Sequence, residues 1–165
     1  MSLHENFAPM VSQRDTFTQK SEQDKFVDLP RGSLVEISGP NARKAVAELL
    51  YGNPDQAVVW IERNLDPLPP DLEHIRLNFD RVLFVHGDTD SSWAASAILR
   101  TGLFPLVVFG AGYKNERELR RYLRQAKSTN AIFLVISERP TPSTLFSVQL
   151  LAGKNGIELL RRRLT

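Results

Sequence analysis

Lys44 lies just beyond Gly39 and Pro40 in "LVEISGPNARKAVAELL", and a lysine there suggests phosphate chemistry. A phosphate loop of the form GxxxxGK[ST] cradles anions in a nest of backbone N–H groups. Its lysine reaches the outer phosphates and its hydroxyl binds magnesium. In this chain the lysine arrives one position early, the second glycine is missing, and Ala45 stands where the hydroxyl belongs. Glycine takes up the backbone angles of a nest at little cost, and other residues do not. A loop one residue shorter also draws the helix start into the space that phosphates occupy. The stretch therefore reads as a strand-to-helix turn with two exposed cations, Arg43 and Lys44, rather than a working phosphate site.

Other constellations carry different chemistry. His86, Asp88 and Asp90 fall within five residues, and nitrogen and oxygen ligands of that kind suit a divalent ion. The simpler account is that His86 ends a strand while Asp88, Thr89 and Asp90 supply a turn and a helix cap, so no metal is expected. Zero cysteines exclude a disulfide framework and a thiolate metal site. The cationic stretch "KNERELRRYLRQAK" carries Arg117, Arg120, Arg121 and Arg124, and the chain ends near Arg161, Arg162 and Arg163. These seven arginines are the candidate contacts for DNA or an acidic protein surface. Glu116 and Arg120, four apart, also form a pair that supports a helix by itself.

The elements that must position these groups follow from periodicity. Apolar runs at 34–37, 57–61, 82–85 and 106–109 lack polar alternation and suit strands covered on both faces. Between them, Asn41 is placed to cap a helix through Ala45, Val46, Leu49 and Leu50 that ends at Gly52. Asp90 or Ser91 is placed to cap another, in which Trp93, Ala94, Ala97 and Ile98 share a face before Gly102. Leu119, Tyr122, Leu123 and Ala126 share one face of a third helix whose arginines take the other faces. A further strand is expected at 131–136, then a hairpin of 145–152 and 157–162 around "GKNG". The pattern predicts a three-layer α/β core with a mostly parallel sheet and a C-terminal antiparallel hairpin.

At 165 residues the chain is most simply one domain, 29–165, preceded by a polar arm at 1–28 that is expected to be flexible. No apolar run approaches a membrane span and no secretory leader is readable, so a cytoplasmic protein without membrane contact is expected. The net charge of +2 hides an asymmetry. Residues 1–110 carry 10 basic and 15 acidic side chains, whereas 111–165 carry 11 basic and 4 acidic. The C-terminal third is the part suited to an anionic partner.

"LPRGSLVEISGP", "VVWIERNLDPLPPDL" and "DRVLFVHGDTDSSWAASAILRTGLFPLVVFG" together resemble successive parts of the RecA recombinase core. The resemblance spans about 29–163 and implies a RecA-like, P-loop NTPase-type fold. It matches Glu62 to the glutamate that orients the attacking water and Asp66 to a residue beside the adenine. Pro69 stands where an aromatic would stack on the base, and Gly110 where the magnesium-linked aspartate belongs. A phosphoryl-transfer site works by positioning and charge neutralisation. The resemblance thus implies a vestigial nucleotide site made of Gly39, Pro40, Lys44, Glu62 and Asp66, a pseudo-ATPase with no cofactor. ATP would bind only if Lys44, Glu62 and Asp66 still held it. The spans "GAGYKNERELRR" and "ISERPTPSTLF" have no room for the mobile DNA-contacting loops of RecA. This trimmed pattern is similar to the ImuA and SulA-like proteins that bacteria keep beside error-prone polymerases. That likeness implies an accessory of DNA repair or damage-induced mutagenesis in the SOS response. Its expected partner is an error-prone polymerase-like protein or RecA.

Overall fold

The computed structural model describes residues 29–64 and 80–163. The 1–28 arm, Asp66 and Pro69 therefore lie outside the described residues. The elements are β1 (Ser33–Ser38), α1 (Ala42–Tyr51), β2 (Val58–Glu62), β3 (Val82–His86), α2 (Ser91–Thr101), β4 (Leu106–Phe109), α3 (Glu116–Thr129), β5 (Ile132–Ser137), β6 (Phe146–Gly153) and β7 (Gly156–Arg162). One sheet takes the order β3-β2-β4-β5-β1-β6-β7. Every neighbouring pair is parallel except β6 and β7, which form the expected antiparallel hairpin.

Strands without polar alternation sit where both faces are covered. On one face α1 presses Val46, Leu49 and Leu50 onto Val35, Ile37, Trp60 and Leu134. On the other, α2 and α3 pack Leu99, Leu119 and Tyr122 against Leu34, Phe109 and Phe133. The rings of Phe109, Tyr122 and Phe133 form a triangle with centroids 5.6, 5.4 and 4.5 Å apart. Burying one such side chain contributes roughly 1.5–3 kcal/mol. The run at 82–85 departs from expectation: β3 is the edge of the sheet among the described residues, and Leu83 stays 52% exposed.

Helix ends divide into two kinds. α3 is closed by its own sequence. Asn115 Oδ1 accepts from the Glu118 N–H at 3.0 Å, Glu116 and Glu118 lie in the first turn, Lys127 lies in the last, and Asn130 ends it at φ 57°. α1 and α2 begin after Asn41 and Asp90 as expected, but neither side chain makes a capping bond. The Asn41 amide instead donates to the Gly153 carbonyl at 2.9 Å, because β6 brings that acceptor alongside.

Candidate functional site

The β1–α1 turn is bound into the sheet rather than open to a ligand. Gly39 has φ +102°, and a Cβ there would lie 2.6 Å from the Ala152 carbonyl oxygen, so the glycine permits both the turn and the close approach to β6. Its N–H donates to the Ser137 carbonyl at 3.1 Å, that of Asn41 to Ala152 at 3.2 Å, and that of Ala42 back to Gly39 at 3.3 Å. Pro40 has no N–H to offer. The N–H groups of Gly39, Asn41 and Ala42, which in a phosphate loop would help line an anion nest, are here taken up by carbonyls of the protein itself. Lys44 is exposed on the first turn of α1.

Glu62, at the end of β2, has partners of its own. Arg43 grips it in a fork, Nε to Oε1 at 2.8 Å and Nη2 to Oε2 at 3.2 Å, and the Trp60 indole donates to Oε1 at 3.0 Å. Fork geometry is the strong form of a charge-assisted pair. The Glu62 side chain is 13% exposed and that of Arg43 47%. Gly110 makes this possible: a Cβ built there would lie 2.2 Å from Glu62 Oε1. The carboxylate therefore fills the space at the end of β4 that a side chain at 110 would need. Of the two cations expected at this turn, Arg43 is half engaged in the scaffold.

The arginines singled out in the sequence fall into two groups. Arg117, Arg120, Arg121 and Arg124 project from the exposed face of α3. Arg161 and Arg162 end the edge strand β7 and Arg163 follows it, separated by β6 from β1, on which α3 packs. Arg120 pairs with Glu116 at 2.8 Å, as the spacing predicts. Arg161 is half-buried and donates to the Ser143 carbonyl at 3.1 Å. Arg121 is fixed at three points. Its Nη2 meets Ser92 Oγ at 2.7 Å and Glu118 Oε1 at 3.4 Å, and its guanidinium carbon lies 5.5 Å from the centre of the Tyr122 ring.

Ser92 is the hub joining α2 to α3. It donates to Glu118 and accepts from Arg121 and from the Tyr122 hydroxyl, the latter at 3.2 Å. Burial alone would raise the Glu118 carboxyl. Bonds from Ser92, the Lys114 N–H and Tyr122, with the nearby Arg121 charge, outweigh it and leave the pKa below the ordinary value. Burial, reinforced by the Glu118 charge, pushes the Tyr122 phenol up from 10.0 to about 12 although the Ser92 bond opposes it.

Among the described residues no group of three His, Cys, Asp or Glu side chains is placed to hold a metal ion, and no helix is long and apolar enough to cross a membrane. No family model and no curated protein matches the sequence. A solved structure does: SulA from Pseudomonas aeruginosa, with a TM-score of 0.53 at 18% identity, over 65% of this chain and 97% of that one. The fold is SulA-like.

Within this SulA-like fold one polar feature escaped the sequence reading. Glu36, in the middle of β1, is fully buried. Its carboxylate accepts from Ser137 Oγ at 2.6 Å, Gln149 Nε2 at 2.7 Å, the Thr141 N–H at 3.1 Å and the Thr141 hydroxyl. Tyr113 extends the network to Thr141 at 2.9 Å. Buried carboxylates persist when hydrogen bonds replace their lost water. Here the donors come from β5, β6 and the connection between them, so Glu36 ties that connection to the sheet. The signal lay in plain view, a carboxylate inside the apolar run "LVEI".

Proposed function

We propose that this chain is a non-hydrolytic interaction module built on a RecA-like core, an accessory of the DNA-damage response that acts by contacting a protein partner. The β1–α1 turn carries this reading. The N–H groups of Gly39, Asn41 and Ala42 are engaged by carbonyls of the turn and of the neighbouring strands, and Glu62 is held by Arg43 and Trp60. A nucleotide arriving there would have to displace bonds that already hold the sheet together. The SulA-like fold supports the damage-response assignment, and the resemblance to ImuA-type sequences points the same way. The partner expected from that resemblance is an error-prone polymerase-like protein or RecA. In this reading the residual nucleotide site is a scaffold feature and the working surface lies on the helices.

The test is thermal melting with and without Mg-ATP. A ligand at about 100 times its dissociation constant stabilises a protein by roughly 2.7 kcal/mol, which moves the midpoint of a domain this size by about 5–10 °C. No shift at millimolar Mg-ATP is expected. A reproducible rise that Lys44→Ala removes would make the chain a nucleotide-binding protein and end this reading.

A further inference from the structure

The helices α2 and α3 enclose a cleft of about 380 Å3, with Trp93 and Arg100 on one wall and Arg121 and Gln125 on the other. We propose that this cleft docks an acidic segment of a protein partner, with Trp93 as the apolar anchor and Arg100 as the carboxylate-binding group. The inference rests on the reading of the chain as an interaction module and gives that module a surface and a ligand chemistry.

Trp93 is 70% exposed, whereas the other tryptophan, Trp60, is 1% exposed. A large indole left in water on a rigid helix is the residue type that dominates partner interfaces once covered. Arg100 lies seven positions on, on the same outer face of α2. Among the described residues only its Nε is engaged, with the Ser96 carbonyl at 3.3 Å. Across the cleft, Arg121 is held in place by Ser92, Glu118 and Tyr122, so little freedom remains for it to lose on binding. The floor is polar and internally bonded, Ser96 Oγ meeting Gln125 Oε1 at 3.2 Å. Beside it, Arg117, Arg124 and Lys127 stand exposed on α3, where the exposed acid, Glu116, is already paired with Arg120. That wall draws in an anionic partner and disfavours a cationic one.

Protein rather than nucleic acid fits these details. A single-stranded chain needs a cationic track and several rings for successive bases. This cleft offers one ring, and Asp90 lines it with Asp88 exposed nearby. A phosphate backbone would run past both carboxylates, whereas one Glu or Asp side chain needs only the free end of one guanidinium.

The test uses the whole chain and a fluorescein-labelled peptide of Glu, Asp, Leu and Phe, with oligo-dT as the competitor polyanion. Acrylamide quenching of tryptophan emission reads Trp93, because Trp60 is inaccessible. The peptide is expected to shield Trp93 at about 150 mM salt, where long-range charge effects are screened. Trp93→Ala and Arg100→Glu are each expected to weaken peptide binding, read by anisotropy, by about 30-fold with melting unchanged. Undiminished binding in both variants, or quenching of Trp93 unchanged by the peptide, overturns the proposal. Stronger shielding by oligo-dT than by the peptide overturns it in favour of nucleic acid. A Mg-ATP melting shift without change in peptide shielding would instead count against the earlier reading alone.

Discussion

The β1–α1 turn and the α2–α3 surface both carry arginines, but the turn absorbs Arg43 whereas the helical surface absorbs Arg121 against Glu118 and leaves Arg100, Arg117 and Arg124 largely open. At the turn, Arg43 meets a carboxylate that is 13% exposed and is absorbed into the scaffold with Trp60. On α3, Arg117 and Arg124 face solvent, and in the cleft Arg100 keeps the end of its fork open. A cation beside a sheltered acid stabilises the fold, whereas a cation whose neighbours are polar floor groups keeps its capacity for a partner. In the proposed reading, that difference assigns partner binding to the helical layer and leaves the strand ends to hold the sheet together.

The comparison breaks most severely at Gly39. Gly39→Ala forces a side chain onto the Ala152 carbonyl oxygen and strains a backbone at φ +102°. It is expected to cost roughly 3 kcal/mol or more, lowering the melting midpoint by about 6–12 °C. A variant that melts like the parent would show that the turn is not bound to β6 as described.

Next comes the hub under the cleft. The Tyr122 pKa is raised in the folded chain from 10.0 to about 12, so its contribution is complete below pH 10 and is lost as pH rises towards 12. Discounted for the partial hydration of the hydroxyl, that contribution is on the order of 1–2 kcal/mol. Glu118, whose pKa is lowered, acts at the other end: its contribution is complete above about 4.5 and fades as pH falls to the depressed folded value. Denaturant melts across pH should show both limbs. Tyr122→Phe should shrink the alkaline one to the part that Tyr113, whose phenol burial also pushes up, still contributes, and an unchanged alkaline limb would dissociate Tyr122 from it.

How much of this was legible in the chain depends on sequence distance. β4 occupies the run at 106–109 that its apolar residues predict, and α3 shows both its face and its termini, because everything that closes it lies within its own turns. The Arg43–Glu62 fork spans 19 residues and the Arg121–Ser92 contact 29, so their residue types were visible but not their meeting. Asn41 looked like a cap, but its side chain makes no capping bond and its amide N–H donates to the Gly153 carbonyl of β6, 112 residues away. Trp93 was read as one of the apolar residues of α2 and sits instead at its rim. The candidate arginines were legible as a set, but the sheet order separates the three at the end of β7 and just beyond it from the four on α3.

Smaller effects sharpen the comparison at the turn. Gly110→Ala must push the Glu62 carboxylate out of its place, and Arg43→Ala removes the fork directly. Each is expected to cost about 1 kcal/mol, since the pair is only partly sheltered. The two should be strongly non-additive, because either change alone dissolves the same contact. Additive losses in a double-mutant cycle would mean that Gly110 serves something other than Glu62.

The smallest effect is the most telling for function. Arg117 and Arg124 are exposed on α3, which is closed by Asn115 and Asn130 without them. Arg117→Glu and Arg124→Glu should therefore change stability by no more than about 0.5 kcal/mol. Arg120→Glu adds only the loss of the pair with Glu116, roughly 0.3–0.5 kcal/mol, and a like-charge neighbour in its place. If these residues exist for a partner, the same substitutions must slow association with an acidic ligand and flatten its salt dependence while the melting curve stays still. A clear drop in the melting midpoint would place them with Arg43, as parts of the scaffold, and the contrast between the two regions would disappear.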